Sequence, residues 1–272
     1  MGAFDGQVAF LTGASSGIGA ALAREFAREG SDLVLVARRK ERLDALAREL
    51  EATGRRVVVV AGDVTKEGDL EGAAAKAVAA LGRIDVVVAN AGFGVVGPVE
   101  QLALGDFRRQ FETNVFGVLR TVHATFHELK RARGRLVLIG SVAGWLSAPG
   151  AAPYSMSKFA VRALAQALVH EMAPFGVSVT HVSPGFVESE IRNVDNEGRL
   201  RPESSGGGPP AWLVMPAAAA ARRIARAVAR RRREVVVTRH GKLAVWLERH
   251  VPWFVSFVFS RTGRRARRQP GG

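Results

Sequence analysis

Tyr154 and Lys158 stand four residues apart in the segment Tyr154-Ser155-Met156-Ser157-Lys158. On a helix that spacing puts a phenol and an ammonium on one face. A phenol titrates near about 10, and a neighbouring cation favours its ionised form. Such a tyrosine can give or take a proton near neutral pH. The spacing by itself is common in proteins and carries little weight. Two facts raise it: Tyr154 is the only tyrosine of the chain, and Ser141 lies just after the apolar run Leu136-Val137-Leu138-Ile139-Gly140.

A second constellation stands near the start. Thr12-Gly13-Ala14-Ser15-Ser16-Gly17-Ile18-Gly19 follows an apolar run and precedes an amphipathic stretch. Glycines between a strand and a helix allow a tight turn and let the backbone approach a pyrophosphate at the helix N-terminus. At the end of the next apolar run come Ala37-Arg38-Arg39. An NAD site places a carboxylate there for the ribose 2′-hydroxyl, whereas a 2′-phosphate favours arginine. Ala37 holds the acidic position, so Arg38 and Arg39 favour NADP(H) over NAD(H). Asp63-Val64 is placed to meet an adenine, and Asn90-Ala91-Gly92 to form the floor of the cofactor site.

The elements that must position these groups are legible as alternating patterns. Strands are expected at residues 7–11, 32–37, 56–61, 84–89, 134–140, 176–182 and 234–238. Their Val-rich, near-continuous hydrophobicity suits strands buried on both faces of a parallel sheet. Helices are expected between them, among others at 17–29, 40–52, 106–131, 153–173 and 216–232. Strand and helix repeated in this way imply right-handed crossovers and a single-domain, Rossmann-type doubly wound sheet of about seven strands. Residues 1–240 would form that α/β domain and residues 241–272 a C-terminal helical extension. The Gly/Pro/Ser-rich stretch 197–211 is too long for an ordinary connection and reads as a candidate lid.

Composition narrows the chemistry. The chain has no cysteine, which excludes a disulfide scaffold, a thiolate metal site and a cysteine nucleophile. His123 and His127 are four apart on an expected helix but have no evident third ligand, so no metal site is expected. His170 and His181 read as ordinary partly buried or surface residues. The Ala- and Arg-rich usage suggests a GC-rich bacterial genome. Nothing near the start resembles a secretory signal, and a cytoplasmic location is expected.

The six motifs Thr12 to Gly19, Asn90-Ala91-Gly92, Asn114-Val115-Phe116-Gly117, Ser141-Val142-Ala143-Gly144, Tyr154/Lys158 and Pro184-Gly185 occur in one order and spacing. In them the chain resembles the short-chain dehydrogenase/reductase (SDR) family over about residues 5–240. The resemblance implies a catalytic tetrad of Asn114, Ser141, Tyr154 and Lys158. Tyr154 would be the general acid/base on the carbonyl or hydroxyl oxygen, and Ser141 would hydrogen-bond that oxygen. Lys158 would lower the Tyr154 pKa and bind the nicotinamide ribose, while Asn114 would hold a water linking Lys158 to solvent. Val187 and Ser189 match positions that meet the nicotinamide carboxamide, Ser189 replacing the commoner threonine. Phe93, Gly94, Trp145, Ser147, Ala148, Gly150 and Ala151 would border the substrate. One departure is that the glycine loop lacks the basic residue frequent in NADP-preferring relatives. Relatives commonly form homodimers or homotetramers through the helices corresponding to 106–131 and 153–173.

Charge is concentrated at the end of the chain. Residues 216–272 carry 15 Lys/Arg against Glu234 and Glu248, a balance of +13, whereas the preceding 215 residues balance at +1. Arg230, Arg231, Arg232 and Arg233 fall at an expected helix C-terminus, where cations oppose the helix dipole. Beyond them, Leu243 to Leu247 and Val251 to Ser260 are apolar runs too short to span a bilayer. Trp246, Trp253, Phe254 and Phe257, with Arg264, Arg265, Arg267 and Arg268, fit either an in-plane helix on an anionic membrane or packing over a cleft or subunit interface. Nucleic acid is not expected. The expected activity is NADP(H)-dependent hydride transfer to or from a carbonyl or secondary alcohol of an apolar small molecule. The alternative is a non-catalytic NADP(H)-binding sensor or scaffold, against which the intact Tyr/Lys pair argues.

Overall fold

The computed structural model describes residues 2–193, 195–197, 199 and 209–267, with side chains throughout except at 192, 193 and 262–267. Most of the candidate lid, at 198 and 200–208, therefore lies outside the described residues, as does Arg268.

Seven parallel strands form one sheet in the order β3-β2-β1-β4-β5-β6-β7. They are β1 (Val8–Thr12), β2 (Asp32–Ala37), β3 (Val57–Ala61), β4 (Val86–Ala89), β5 (Arg135–Ile139), β6 (Ser178–Ser183) and β7 (Glu234–Val236). The apolar runs become strands because both faces of the sheet are covered. Along β1, Val8 and Phe10 face one hydrophobic cluster while Ala9 and Leu11 face the other. β5 repeats this with Leu136 and Leu138 against Val137 and Ile139, the period-two alternation of a pleated strand. Helices α1 (Gly17–Arg28), α2 (Lys40–Glu51) and, after β6, α7 (Ala217–Ala229) cover one face. Helices α3 (Asp69–Leu81), α5 (Gly117–Ala132) and α6 (Ala152–Glu171) cover the other. Each fully buried leucine or phenylalanine, such as Leu22 and Phe26 on α1, contributes roughly 1.5–3 kcal/mol.

The strand order reverses between β1 and β4. In an open α/β sheet that switch point leaves a crevice at the carboxyl ends of the strands. At the opposite, amino edge of the sheet Asp85 fastens the same two strands: its buried carboxylate accepts from the Val8 backbone N–H (2.9 Å) and from the Arg83 guanidinium.

One element differs from the sequence expectation. The helix expected at 106–131 is broken into α4 (Leu104–Phe111), a π-helical segment Glu112–Phe116, and α5. A π segment of only five residues is too short for periodicity to mark; such segments gather at functional sites. The C-terminal region forms α8 (Arg239–His250) and α9 (Pro252–Arg267). The first of these is fastened to the body: the Thr238 hydroxyl caps it by accepting from Gly241 N, Val245 is buried, and the Arg249 guanidinium lies 4.1 Å from the Trp145 ring centre. The arginine run ends α7 as expected, but Arg231 turns back to donate to the carbonyls of Arg133, Gly134 and Gly176.

Candidate active site

The loop after β1 closes on itself. Gly13 adopts φ +65°, and a side chain at Gly19 would place its Cβ 2.3 Å from the Gly13 carbonyl oxygen. Only glycine permits this turn. Asn90, after β4, holds the loop by donating from Nδ2 to the carbonyls of Thr12 (3.0 Å) and Gly13 (3.1 Å). The Thr12 hydroxyl in turn accepts from the N–H groups of Asn90 and Ala91. Thr12 is thus a fastening of the floor that motif reading did not single out. Ser15, Ser16, Gly17 and Ile18 complete the turn into α1.

At the end of β2, Ala37 offers no carboxylate. The Arg39 guanidinium instead reaches the glycine loop, donating to the hydroxyls of Ser15 (3.0 Å) and Ser16 (2.9 Å). Its remaining nitrogen pairs with Glu190 at 2.8 Å, and Glu190 also pairs with Arg42 at 2.5 Å. Neither Glu190 nor Arg42 was singled out in the sequence, because Glu190 lies 151 residues from Arg39 in the chain. Arg38 is exposed beside this cluster. Asp63 accepts from the backbone and hydroxyl of Thr65, stiffening the turn after β3, and Val64 is buried.

The polar groups of the other half converge from β4, β5 and α6. Asn114 lies in the π segment with no exposed surface; its Oδ1 accepts from Phe93 N, and its Nδ2 donates to Phe93 O and the Ser157 hydroxyl. Ser157 donates onward to the Tyr154 carbonyl (2.7 Å). Gln110 adds a second buried tether, accepting from Val95 N and donating to Phe93 O. Lys158 is buried, donates to the Ile139 carbonyl (2.9 Å), and has its ammonium 5.7 Å from the centre of the Tyr154 ring. Ser141 lies near the Tyr154 hydroxyl and acts to lower its pKa. Gly94 faces the ring and Gly92 faces Asn114 and Lys158, each close enough that an added Cβ would touch them.

Burial acts against charge on both members of the pair. It raises the Tyr154 pKa, with Ser141 pulling the other way. It lowers Lys158 to about 8. Among the protein's own groups desolvation sets the direction of the Tyr154 shift, opposite to the lowering expected of Lys158. The phenol stands protonated at neutral pH. His181, expected to be ordinary, is buried beneath Gly140 and pushed down to about 4, first by burial and then by the charges of Arg162 and Lys158.

The loop after β6 crosses this edge of the sheet. Pro184 accepts from Val142 N, Val187 pairs with Met215, and Ser189 lies against Gly17. Gly185 is close to Thr238 and His240. A two-way amide bond between Val96 and Asn196 joins the β4 and β6 loops. Trp145, expected beside the substrate, is placed elsewhere. Its indole is buried between the guanidinium groups of Arg162 and Arg249, and its Nε1 donates to Ser183. A wide ring with one polar tip is stable in such a sandwich, and it packs α6 against α8. Among the described residues no group of three His, Asp or Glu side chains gathers as a metal centre would require, and His123 and His127 are both exposed.

The arrangement places a proton donor, a hydroxyl partner and a buried cation on one side of the crevice, and a glycine cradle with an arginine on the other. Comparison with known proteins identifies the family. The family model for short chain dehydrogenase matches residues 7–200. An uncharacterized oxidoreductase of Methylorubrum extorquens is 36% identical over 191 residues, covering 70% of this chain and 77% of that protein. Glycine betaine reductase of Emericella nidulans is 39% identical over 197 residues, 72% of this chain but only 16% of that much longer protein. Among solved structures, an SDR from Burkholderia phymatum in complex with NAD has a TM-score of 0.81 at 28% identity, covering 92% of this chain and 95% of the other. An alcohol dehydrogenase from Thermococcus sibiricus complexed with 5-hydroxy-NADP has a TM-score of 0.75 at 32% identity, covering 85% and 96%. The chain belongs to the short-chain dehydrogenase/reductase family and is an oxidoreductase of the nicotinamide-dependent kind.

Proposed function

We propose that this oxidoreductase uses NADP(H) to interconvert a carbonyl and a secondary alcohol on an apolar small molecule, with Tyr154 as general acid/base. The observation that carries the reading is the Tyr154 phenol, with Ser141 near it, one helical turn from Lys158, whose buried ammonium stands 5.7 Å from the ring centre. The residues fit a dinucleotide. The glycine loop makes the tight strand-to-helix turn that a pyrophosphate-binding loop needs, Gly13 and Gly19 being packed too closely on Asn90 and the loop backbone to carry a Cβ. Arg39 with the Ser15 and Ser16 hydroxyls forms a donor set suited to a 2′-phosphate. When bound, the nicotinamide supplies the hydride donor or acceptor.

The chain's own residues would do the rest. Ser141 orients the substrate oxygen, and the protonated Tyr154 hydroxyl donates to it during reduction. In the reverse direction Tyr154 takes the hydroxyl proton. Lys158 holds ribose hydroxyls and supplies positive charge beside the phenolate. Asn114 has its amide engaged by Phe93 and Ser157, so a water link from Lys158 to solvent would run over its backbone carbonyl. Val187 and Ser189 would meet the carboxamide, Asp63 and Val64 the adenine, and Phe93 and Gly94 the substrate. Exposed Phe186 and Trp212, the latter 81% accessible, border the β6 loop and favour an apolar substrate. Exposed Phe116, Met156 and Phe159 on the outer faces of the π segment and α6 favour a homo-oligomer. A screen of aldehydes, ketones, ketosteroids and 3-ketoacyl compounds with NADPH and NADH tests the reading. Turnover of at least one carbonyl with NADPH faster than with NADH is expected; turnover faster with NADH would remove the cofactor assignment.

The tail favours a peripheral contact with an anionic bilayer. No helix among the described residues is long and apolar enough to cross a membrane. On α9, Trp253 is 70% accessible, and Phe254, Phe257 and Val258 are exposed with it. The arginines that follow at 264, 265 and 267 have side chains outside the described set, and their part in the reading rests on sequence. Because α8 is packed into the body, the informative truncation removes residues 252–272 and not the whole extension. The full chain is expected to co-sediment with phosphatidylcholine/phosphatidylserine vesicles and the truncated chain to remain in solution. Equal sedimentation of both would end the idea.

A further inference from the structure

The guanidinium groups best placed for a 2′-phosphate already hold an anion of this chain. Glu190 opens the short helical turn Glu190–Asn193 after β6. One of its carboxylate oxygens is 2.8 Å from an Arg39 nitrogen and the other 2.5 Å from an Arg42 nitrogen. Burial raises the Glu190 pKa, but its hydrogen bonds and charge contacts with the two arginines outweigh this, and it stays below the ordinary carboxylate range. Arg39 uses its other nitrogens on Ser15 and Ser16. A cavity of about 610 Å³ adjoins the cluster, lined among others by Ser15, Ser16, Arg42, Ser189 and Glu190.

We infer that Glu190 is a specificity-determining residue, an intramolecular rival of the cofactor 2′-phosphate for Arg39 and Arg42. The inference rests on the reading of Arg39 as the phosphate-binding arginine. A phosphate dianion and a carboxylate on the same guanidinium repel each other, so NADP(H) can engage Arg39 fully only as Glu190 lets go. NAD(H), with a neutral hydroxyl there, leaves the Glu190 pairs intact. Glu190 therefore weakens NADP(H) binding selectively and narrows the preference for it that the arginines create. Pairs of this exposure are individually weak, which sets the scale of the effect.

The test is binary binding of NADPH and NADH, read by nucleotide fluorescence without substrate, for the full chain and for Glu190→Gln. The variant is expected to bind NADPH about 3- to 10-fold more tightly, the release of two such pairs, with NADH affinity unchanged. Glu188→Gln serves as control, because Glu188 is a neighbouring carboxylate that accepts from Ala217 N and makes no pair with Arg39. It should leave the NADPH-to-NADH ratio where it was. An unchanged ratio in Glu190→Gln, or an equal gain in Glu188→Gln, would overturn the inference. Failure of the NADP(H) reading has a different signature: both the parent and Glu190→Gln would then bind NADH more tightly than NADPH.

Discussion

Tyr154→Phe is expected to lower kcat by about 10²- to 10⁴-fold, the range supplied by a positioned general acid or base, with NADPH affinity unchanged. The substitution removes one oxygen and keeps the ring against Gly94. Its structural cost is at most one neutral polar contact of the hydroxyl, about 1 kcal/mol, so the protein should remain folded. Since Tyr154 is the only tyrosine of the chain, no other phenol is available to replace it. Steady-state kinetics alongside an NADPH titration separate chemistry from binding. Turnover within a few-fold of the parent enzyme would show that the proton comes from elsewhere. Because burial raises the Tyr154 pKa, carbonyl reduction should be supported across neutral pH and fall only as the phenol ionises. Alcohol oxidation, which needs the phenolate, should rise with pH over the same interval.

Lys158→Met should make the protein more stable and nearly inactive. Folding depresses the Lys158 pKa from 10.5 to about 8 by burying the ammonium. Between those values the unfolded chain binds more protons than the folded one, so unfolding free energy rises with pH through that window. Below about pH 8 the full penalty acts, and the gap between the two values corresponds to roughly 3 kcal/mol. Methionine fills similar space without charge, but it leaves the Ile139 carbonyl without the bond it accepts from Lys158, which costs about 1–2 kcal/mol. The net gain, about 1–2 kcal/mol, should raise Tm by a few degrees at pH 7 for a chain of this size. Above about pH 10.5, where the parent lysine is neutral in both states, only the lost Ile139 bond remains and the variant should be the less stable by about 1–2 kcal/mol. Thermal unfolding at the two pH values checks this, and an unchanged or lower Tm at pH 7 would remove the argument. Loss of turnover with gain of stability is the expected mark of a buried charge kept for chemistry.

The same balance explains why one part of the site was misread in advance. A four-residue spacing places Tyr154 and Lys158 together but says nothing of how much water surrounds them. Solvation sets the sign of both pKa shifts, and it depends on the packing of α6 against β4, β5 and the π segment. Trp145 was misplaced for a related reason. Its neighbours in sequence follow β5 toward the crevice, yet the ring finds two guanidinium groups from α6 and α8 that are distant in the chain. The tail was legible as an apolar, basic and helical extension. Packing divides it into a docked helix, α8, and a helix with exposed aromatics, α9.

The sequence by itself determined the sheet, because strands buried on both faces must be written as short apolar runs and their crossovers allow one hand. It also determined the glycine turn, since Gly13 and Gly19 occupy positions no other residue can. Tertiary structure alone decided which charges meet. Glu190 reaches Arg39 and Arg42 across a separation of about 150 residues, and Asn114 enters the site through a π segment that periodicity does not encode. Local patterns report what a segment buries; which groups face one another, and how dry they are, follows from how the segments fold together.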